Sequence, residues 1–559
     1  MPDASTSESE LVYLPLGGAG EIGMNCYLYG AGSQRKRQWL MVDLGITFPG
    51  PGEPGVDVIL PDLTFIAEQA DKCVGLLLTH AHEDHFGAVI DLWGPIDAPI
   101  YATPFTATLL RAKLAEYGRG LELDIREVAL NSTFDVGSFS LELITVAHSI
   151  PEPNAVCIRH GGTTVLHTGD WKLDPEPITG EPTNAARLQE LGAEGVDVLI
   201  CDSTNVFRDG TSPSEGDIAK SISDVVGACD GRVAVTTFAS NVARMKSVAQ
   251  AARENDRELI VAGRAMQRMI GVAIETGYLP KSFKFHDQDA YGYQPRDKVL
   301  LLCTGSQGES RAAMARIAED NHPHITLTAG DTAIFSSRTI PGNERTVGAV
   351  VNQLAAQGIK LVTDTEALVH VTGHPRRAEL AQMYQWIKPR TLIPMHGEVR
   401  HMKEHVRYAE AQGIPNALYV ANGSLALLSG KTPKLLDTLP TGRIFRDGRL
   451  MLDPQDRSVG DRRKLSSVGI CVVSIVVSSK GEVLIDPDVV LDGIPEYGPD
   501  GKAMDEIAYA AVDGALESMP KARRRNVETL ERAVTRAARA AIGDAWGKKP
   551  ICKAMVAII

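Results

Sequence analysis

Cysteines are few in this sequence, and they are not spaced for disulfide bonds or a structural zinc site. The eight cysteines are scattered along 559 residues without a Cys-x-x-Cys pair. Secreted disulfide frameworks and zinc knuckles both rely on closely spaced cysteines. We therefore predict a protein of a reducing compartment.

Long apolar runs and targeting segments are also missing. No apolar stretch approaches the roughly 20 residues that a membrane-spanning helix requires. Residues 1–10 are acidic and polar, which matches neither a secretory signal nor a mitochondrial presequence. We expect a cytoplasmic protein without membrane association.

Basic residues are outnumbered by acidic ones, 57 to 70, and the formal net charge is −13. A phosphate backbone is usually met by a basic surface, so the charge argues against a nucleic-acid partner. An enzyme that threads one strand needs only a locally positive channel, however. Six arginines are candidates for its lining, although each taken alone is more easily an ordinary surface residue: Arg244, Arg264, Arg268, Arg338, Arg376 and Arg377.

What the sequence does contain is a dense group of histidines and acidic residues. Residues 80–85 read His-Ala-His-Glu-Asp-His and follow the apolar run 74–79. Zinc binds this mixture of nitrogen and oxygen ligands. Because alternate residues of a strand point to opposite sides, one such segment can supply ligands to two metal ions.

Three more positions repeat the pattern of an apolar strand followed by a histidine or aspartate and then a loop. They are His148, Asp170 and His396. Each is individually more easily explained as structural. Four repeats of the pattern indicate one shared metal centre, in which a carboxylate such as Asp170 can bridge two cations.

Residues 18–23 spell G-x-G-x-x-G, and Asp43 lies twenty residues after Gly23, as in a dinucleotide-binding fingerprint. Such a site also needs a helix that begins in the glycine loop. Residues 24–30 are instead short, aromatic-rich and followed by another turn. We predict a β-hairpin and a tight loop beside the metal site rather than a nicotinamide or flavin site.

Together these motifs resemble the metallo-β-lactamase fold and, within it, the ribonuclease J family of β-CASP nucleases. Segments 237–241, 303–309 and 340–344 are also similar to that family, so the resemblance covers residues 11 to about 450. The four lactamase motifs and then the three β-CASP motifs are matched by Asp43, residues 80–85, His148, Asp170, Asp202, His374 and His396.

We accordingly expect an α/β protein: a metallo-β-lactamase βα/αβ sandwich with an inserted β-CASP α/β domain and a small α+β C-terminal domain. In the last domain, residues 470–485 predict a hairpin and residues 518–542 an arginine-rich helix, whose default interpretation is a solvated face. The predicted bounds are 11–213 and 387–453 for the two parts of the sandwich, 214–386 for the insertion, 454–465 for a linker and 466–559 for the C-terminal domain.

The resemblance implies two zinc ions, with manganese or magnesium as possible substitutes. It also implies that Asp43 and Asp202 accept hydrogen bonds from ligand imidazoles. One ion would be held by His80, His82 and His148, the other by Asp84, His85 and His396, with Asp170 bridging; Asp84, Asp170 and His374 would be catalytic.

The segment around His374 contacts substrate phosphate in the family, and the histidine there can orient the scissile group or protonate the departing oxygen. A pocket for a 5′-monophosphate is therefore expected nearby. Its predicted members are His370, Val371, Thr372, Gly373, His374, Ser240, Asn241, Ser337 and Arg338.

The implied activity is hydrolysis of single-stranded RNA in mRNA decay and rRNA maturation, by a 5′→3′ exonuclease that favours a 5′-monophosphate and also cuts internally. His396 favours RNA, because DNA-specific relatives tend to carry valine there. A homodimer or homotetramer is expected, and the sequence identifies no RNA-decay or ribosome-associated partner.

Two alternatives remain at this stage. A small-molecule metallohydrolase of lactonase, glyoxalase or β-lactamase type would share residues 80–170 but would have no use for His374. A non-catalytic RNA-binding scaffold would have lost metal ligands. A structural calcium near Asp57 and Asp447 is also left open by the family resemblance.

Overall fold

The computed structural model of the protein describes residues 8–118, 120–340 and 342–559. Most of the predicted polar start, and Pro341 of the segment 340–344, lie outside the described residues. The chain forms two compact units: the first contains residues up to Thr47 together with Ile59–Arg443, and the second contains Phe48–Val58 and Ile444–Ile559.

Two sheets of the first unit enclose a shared apolar core. Tyr29 and Val42 from one sheet belong to the same buried cluster as Val156 and Ile200 from the other. The first sheet contains, in spatial order, Lys434–Thr438, Ser424–Leu427, Leu11–Gly17, Cys26–Ala31, Gln38–Leu44, Cys73–Leu77, Ile100–Ala102 and Ile125–Glu127.

Leu11–Gly17 and Cys26–Ala31 pair in antiparallel register, so the glycine loop between them joins two strands of a hairpin. No helix begins there among the described residues. The predicted hairpin is confirmed, because Cys26–Ala31 also pairs in antiparallel register with Gln38–Leu44. Gly18 and Gly23 adopt φ values of 78° and 90°, which are readily accessible only to glycine.

The second sheet brings three of the predicted site segments to one edge. Val198–Asp202 lies between Thr163–His167 and Thr391–Met395 and runs parallel to both. The carboxyl ends of parallel strands meet at the same edge. The seven strands are Asn416–Ala417, Thr391–Met395, Val198–Asp202, Thr163–His167, Asn154–His160, Phe139–Thr145 and Thr133–Val136.

The inserted segment forms a sheet of its own in which all strands are parallel. Strands covered on both sides are continuously apolar, as in the fully buried Val299–Cys303. In spatial order the six strands are His286–Asp287, Glu258–Ala262, Val299–Cys303, Val233–Thr236, Thr332–Phe335 and Lys360–Val362.

Helices of the insertion begin where polar caps allow it. Ser214 accepts a hydrogen bond from the Asp217 amide, and the Asp217 carboxylate accepts one from the Ser214 amide, which forms a capping box. The helices of this segment are Glu215–Gly227, Val242–Glu254, Arg264–Glu275, Ala313–Ala318 and Glu344–Ala356.

Helices also cover the outer side of the second sheet, where Leu188, Leu380 and Ala409 pack on Leu199 and Leu392 in one buried cluster. The helices of the sandwich are Thr64–Ala67, Glu83–Phe86, Val89–Leu92, Pro104–Tyr117, Ala185–Glu194, Arg377–Ile387 and Val399–Ala411.

The second unit has a small sheet packed on helices. Alternate residues of the central strand, Cys471, Val473, Ile475 and Val477, are buried against them. The predicted hairpin is confirmed, since Ile470–Val477 and Val483–Asp492 pair in antiparallel register. The unit also contains the strand Ile551–Ile558 and the helices Arg457–Val468, Met504–Ser518, Lys521–Arg524 and Val527–Trp546.

The helix predicted over residues 518–542 is confirmed from Val527 onward, but it is not continuous back to Ser518. Ser518 ends one helix, and Asn526 caps the next with its side chain. Pro520 lies between them, and proline cannot continue a helical hydrogen-bond ladder.

The segment predicted as a linker is helical from Arg457 onward. The domain bounds given above stay predictions. None of the helices in the described part of the chain is long and apolar enough to span a bilayer.

Two helical glycines should respond oppositely to a methyl group. At Gly192 an added Cβ would lie 1.9 Å from the Trp386 carbonyl oxygen, whereas at Gly271 nothing lies within 4 Å. We expect Gly192→Ala to lower the free energy of unfolding by about 1–3 kcal/mol through overpacking. Gly271→Ala should raise it by about 0.5–1 kcal/mol through helix propensity. Denaturant midpoints of the full chain measure both, and equal midpoints would contradict the close packing at Gly192.

Candidate metal centre

The histidine-rich segment folds back immediately after its strand. The strand Cys73–Leu77 ends just before this segment, and His82 occupies the N-cap position of the short helix Glu83–Phe86. His80 and His82 belong to one group of possible metal ligands, and Asp84 and His85 belong to another. His80 and His85 are buried, whereas the Asp84 side chain is 34% exposed.

Three imidazole nitrogens converge in a first cluster. His82 Nδ1 lies 3.1 Å from His80 Nε2 and 3.0 Å from His148 Nε2. Asp170 Oδ2 lies 3.7 Å from His148 Nε2 and 4.0 Å from His80 Nε2. Four donor atoms therefore surround one point, as tetrahedral zinc sites require.

Hydrogen bonds at the opposite ring nitrogens orient two of these imidazoles. His148 Nδ1 donates to the Gly373 carbonyl at 2.6 Å. His80 Nδ1 lies 3.0 Å from the Thr79 hydroxyl, which itself donates to Asp43. Both Nε2 atoms are thereby left with lone pairs that point into the cluster.

The second cluster surrounds the same aspartate. Asp170 Oδ2 lies 3.1 Å from His85 Nε2, and Asp170 Oδ1 lies 3.1 Å from His396 Nδ1. The other ring nitrogen of His396, Nε2, lies 3.2 Å from Asp84 Oδ2. Asp170 thus touches both clusters, as a bridging carboxylate would.

Burial and charge act differently on the histidines of the two clusters. In the first, burial lowers the pKa of His82 to about 4 and the pKa values of His80 and His148 well below 6.5. These imidazoles are neutral, the state that binds metal. In the second, burial also lowers the pKa of His85, but Asp170, Asp84 and Asp43 outweigh it and raise the pKa to about 10.

The residues present fit a pair of cations. In the first cluster, His82 Nδ1 lies about 3 Å from the Nε2 atoms of His80 and His148. Neutral imidazoles carry too few N–H groups to make each of these contacts a hydrogen bond. Asp170 Oδ1 is buried, and its 3.1 Å contact with His396 Nδ1 lies outside hydrogen-bond geometry. A buried carboxylate among imidazoles is the donor set that divalent transition metals bind.

Asp43 fixes residues of the histidine-rich segment through hydrogen bonds. It adopts a left-handed φ of 61° and is fully buried. Its carboxylate accepts hydrogen bonds from the Thr79 amide at 2.8 Å and from His85 Nδ1 at 2.7 Å. Asn25, which sequence reasoning did not single out, adds a contact of 3.0 Å from its Nδ2 to His85 Nε2.

Asp202 contacts two histidines and lies closer to His374 than to His396. Asp202 Oδ2 lies 2.8 Å from His374 Nδ1, and Asp202 Oδ1 lies 3.7 Å from His396 Nδ1. Burial lowers the pKa of His374, but the carboxylates of Asp202 and Asp170 outweigh it and raise the pKa. The His374 side chain is 21% exposed, so part of the imidazole remains accessible to solvent.

Asn205 holds the loop that carries His374 and was missed as a site residue. Its amide nitrogen donates to Thr372 Oγ1 at 2.8 Å and to the His374 carbonyl at 3.1 Å. Nothing local marks this role, because the partners lie more than 160 residues apart. Thr204 is similar, since its hydroxyl lies 3.1 Å from His396 Nδ1.

The predicted phosphate-pocket residues follow strands of the inserted sheet. Val233–Thr236 and Thr332–Phe335 are parallel neighbours, so the segments containing Ser240 and Ser337 lie at the same edge. Asn241 and Ser337 are buried, and Asn241 caps the helix Val242–Glu254. Arg338 is exposed, Ser240 and His370 are half-buried, and Val371 is buried.

The arginines proposed for an RNA channel differ in burial and in their ion-pair partners. Arg244 is fully buried in an ion pair with Glu215, so its assignment to a channel lining is wrong. A guanidinium with buried carbonyl and carboxylate partners cannot reach solvent-borne RNA. Arg264 is exposed, Arg376 is half-buried, Arg268 pairs with Glu116, and Arg377 pairs with Asp209 and Glu404.

The carboxylates considered for calcium already have protein partners. Asp57 accepts a hydrogen bond from the Gly448 amide at 2.7 Å, and Asp447 pairs with Arg462. A guanidinium therefore supplies positive charge at Asp447.

Replacing Asp43 by asparagine should weaken metal binding. The amide would turn a donor toward Thr79 or His85, which are both donors here. We expect about 10–100-fold lower zinc affinity, as for other partners of metal-ligating histidines. Competition with a chromophoric chelator measures it on the full chain.

Asp97→Asn is the matched control, because Asp97 also has a left-handed φ, 53°, but is exposed. Asparagine tolerates that conformation. Unchanged zinc affinity in Asp43→Asn would contradict the assigned bracing of His85.

Comparisons with known families cover nearly the whole chain. Residues 19–264 match the metallo-beta-lactamase superfamily. Residues 230–354 match the ribonuclease J beta-CASP domain and residues 458–558 the ribonuclease J C-terminal domain. Residues 358–418, which carry His374 and His396, match the Zn-dependent metallo-hydrolase RNA specificity domain.

Individual relatives match this chain over most of their length. Ribonuclease J of Sinorhizobium meliloti is 48% identical over 97% of this chain and 96% of its own. Ribonuclease J of Mycolicibacterium smegmatis is 37% identical over 96% and 95% of the two chains. Ribonuclease J of Thermus thermophilus is 37% identical over 82% and 81%.

A solved structure supports the fold alone. A protein of unknown function from Enterococcus faecalis V583 aligns with a TM-score of 0.51 at 15% identity, over 75% of this chain and 100% of that one.

These matches confirm the predicted family, the fold class and the enzyme class, and they decide against the small-molecule metallohydrolase and the non-catalytic scaffold. The chain therefore belongs to the ribonuclease J family of β-CASP nucleases, and it is a metal-dependent hydrolase that acts on RNA.

Proposed function

We propose that this chain is a zinc-dependent ribonuclease that degrades single-stranded RNA from a 5′-monophosphate end in the 5′→3′ direction and also cleaves internally. The observation that carries the proposal is the pair of clusters that share Asp170, with His374 Nδ1 3.8 Å from Asp170 Oδ2. Its biological role would be mRNA decay and rRNA maturation in the cytoplasm, as a homodimer or homotetramer.

The proposed ligands are those named from the sequence. His80, His82 and His148 would hold one zinc ion, Asp84, His85 and His396 the other, and Asp170 would bridge. Manganese or magnesium are possible substitutes. When bound, two such cations activate a water molecule and offset the charge that develops on the scissile phosphate.

The protein's own contribution is to orient the phosphate and to supply a proton. His374 keeps one ring nitrogen on Asp202 at 2.8 Å, which leaves the other free to face substrate. Asp202 and Asp170 raise the pKa of His374, which favours the protonated imidazole that can donate a proton to the departing oxygen. Asp84 and Asp170 are the proposed catalytic carboxylates beside it.

The 5′-phosphate pocket is proposed at the edge where the inserted sheet meets the His374 loop. Thr372, Gly373 and His370 belong to that loop, and Ser240, Asn241, Ser337 and Arg338 follow the ends of neighbouring parallel strands. Hydroxyls, an amide and a guanidinium are groups that bind phosphate oxygens.

The direct test uses one 3′-labelled single-stranded RNA with either a 5′-monophosphate or a 5′-triphosphate. With zinc present, we expect stepwise shortening from the monophosphate end and slower attack on the triphosphate. His80→Ala should abolish cleavage of both RNAs, because it removes a metal ligand. His286→Ala is the matched control, since His286 is an exposed histidine paired with Glu258.

His374→Ala should separate proton donation from metal binding. We expect zinc content close to that of the wild-type protein and cleavage reduced by about 10²–10⁴-fold, the usual contribution of a general acid. Full activity of His374→Ala would contradict its role. Intact RNA after incubation of the wild-type protein with zinc, manganese or magnesium would overturn the proposed activity itself.

A further inference from the structure

Four charged side chains lie together in the interior behind the loop of His370–His374, which we call the phosphate loop. Lys172, Asp174, Glu215 and Arg244 are between 0% and 3% exposed. Charges are rarely buried unless paired, because burial removes their hydration. The position of this cluster therefore needs an explanation beyond the packing of a core.

The cluster is internally paired. Lys172 Nζ lies 2.8 Å from Asp174 Oδ2 and 3.8 Å from Glu215 Oε1. Glu215 Oε2 accepts a hydrogen bond from Arg244 Nη2 at 2.9 Å. The Glu215 amide donates to Asp174 Oδ2 at 3.0 Å. One chain of contacts thus links a lactamase-type segment to two helices of the insertion.

Arg244 extends this chain to the phosphate loop. Its Nη1 donates to the Val369 carbonyl at 2.8 Å and to the hydroxyl and carbonyl of Ser336. The Ser336 hydroxyl itself donates to the same Val369 carbonyl at 2.7 Å. Val369 immediately precedes the phosphate loop, so two buried donors hold the residue from which the loop starts.

At its other end the cluster adjoins the metal ligands. Lys172 lies two residues after Asp170, and its backbone amide donates to the Ala147 carbonyl at 2.8 Å. Ala147 directly precedes His148. The strand ends that carry two proposed ligands are therefore tied to the same charged side chains that hold the loop.

Replacing a buried charge network by apolar residues is often neutral or stabilising, so stability alone gives no reason for this cluster. A guanidinium can fix the orientation of the groups that accept its hydrogen bonds, because its donors lie in one plane. We propose that Lys172, Asp174, Glu215 and Arg244 are positioning residues that set the phosphate loop, and with it His374, at a fixed place relative to the metal ligands. The inference rests on the proposed function, in which that loop contacts RNA phosphate.

Two variants test the link to the loop. Arg244→Met keeps length but removes the charge and all donors, while Ser336→Ala removes a single hydroxyl and leaves every charge in place. Ile260→Ala is the matched control, because Ile260 is fully buried in the sheet of the same insertion and its truncation lowers stability by leaving a cavity.

Hydrogen exchange of the full chain, read by mass spectrometry, reports on the loop without RNA or activity. We expect faster exchange of the amides of residues 370–376 in Arg244→Met and in Ser336→Ala. Ile260→Ala should leave exchange in that segment unchanged. Unchanged exchange in Ser336→Ala, or equal acceleration in Ile260→Ala, would overturn the proposal.

Kinetics on the 5′-monophosphate RNA give the second measurement. Displacing a positioned group by about 1 Å costs roughly 10²-fold in rate, so we expect kcat to fall by that order in Arg244→Met and by less in Ser336→Ala, with KM and zinc content little changed. Arg244→Lys should recover part of kcat, since one ammonium can reach either Glu215 or Val369. Loss of kcat in all variants in proportion to their loss of stability would assign the cluster a structural role only.

The positioned loop and the proposed activity can fail independently. A wild-type chain that cleaves no RNA but shows the expected exchange pattern would remove the proposed function and retain the positioned loop. If the wild-type chain cleaves RNA but Ser336→Ala changes neither hydrogen exchange nor kcat, the proposed function stands and the positioned loop is removed.

Discussion

A single buried carboxylate organises this molecule. Asp170 is 2% exposed, and imidazole nitrogens of His80, His85, His148 and His396 lie within 4.0 Å of its oxygens. Removing a carboxylate from water is costly unless opposite charge compensates it. Protonated imidazoles or bound cations can supply that charge, and the low pKa values of the first cluster favour cations there. The surrounding fold serves to keep these groups together.

Topology brings the groups to that point from distant parts of the sequence. Three parallel strands of one sheet end beside Asp170, Asp202 and His396, while a strand of the other sheet leads into the histidine-rich segment. The insertion then returns to the same edge through the phosphate loop, where Gly373 accepts a hydrogen bond from His148. Left-handed backbone at Asp43 and His396, with φ of 61° and 49°, is strain of the kind that accumulates at functional sites.

Much of this was predictable because the signals are local. The histidines and aspartates sit directly after apolar runs, so the structure brings His80–His85, His148, Asp170 and His396 together as their pattern suggested, although their metal-binding roles stay predictions. Long-range roles gave no such signal: Arg244 looks like a surface arginine until Glu215 and Val369 surround it, and Asn205 acts through partners far along the chain. The helix predicted across residues 518–542 is interrupted at its start, because Pro520 cannot continue the hydrogen-bond ladder of the helix that ends at Ser518.

The metal centre described above requires two cations that share Asp170. The most direct measurement is a crystal structure of the full chain at the zinc absorption edge, with anomalous difference maps to place the metal. We expect two peaks about 3.5–4 Å apart, the spacing of two-metal hydrolytic sites. One should lie beside His80, His82 and His148, and the other beside Asp84, His85 and His396. A single fully occupied peak, or peaks whose ligands do not include Asp170, would contradict it.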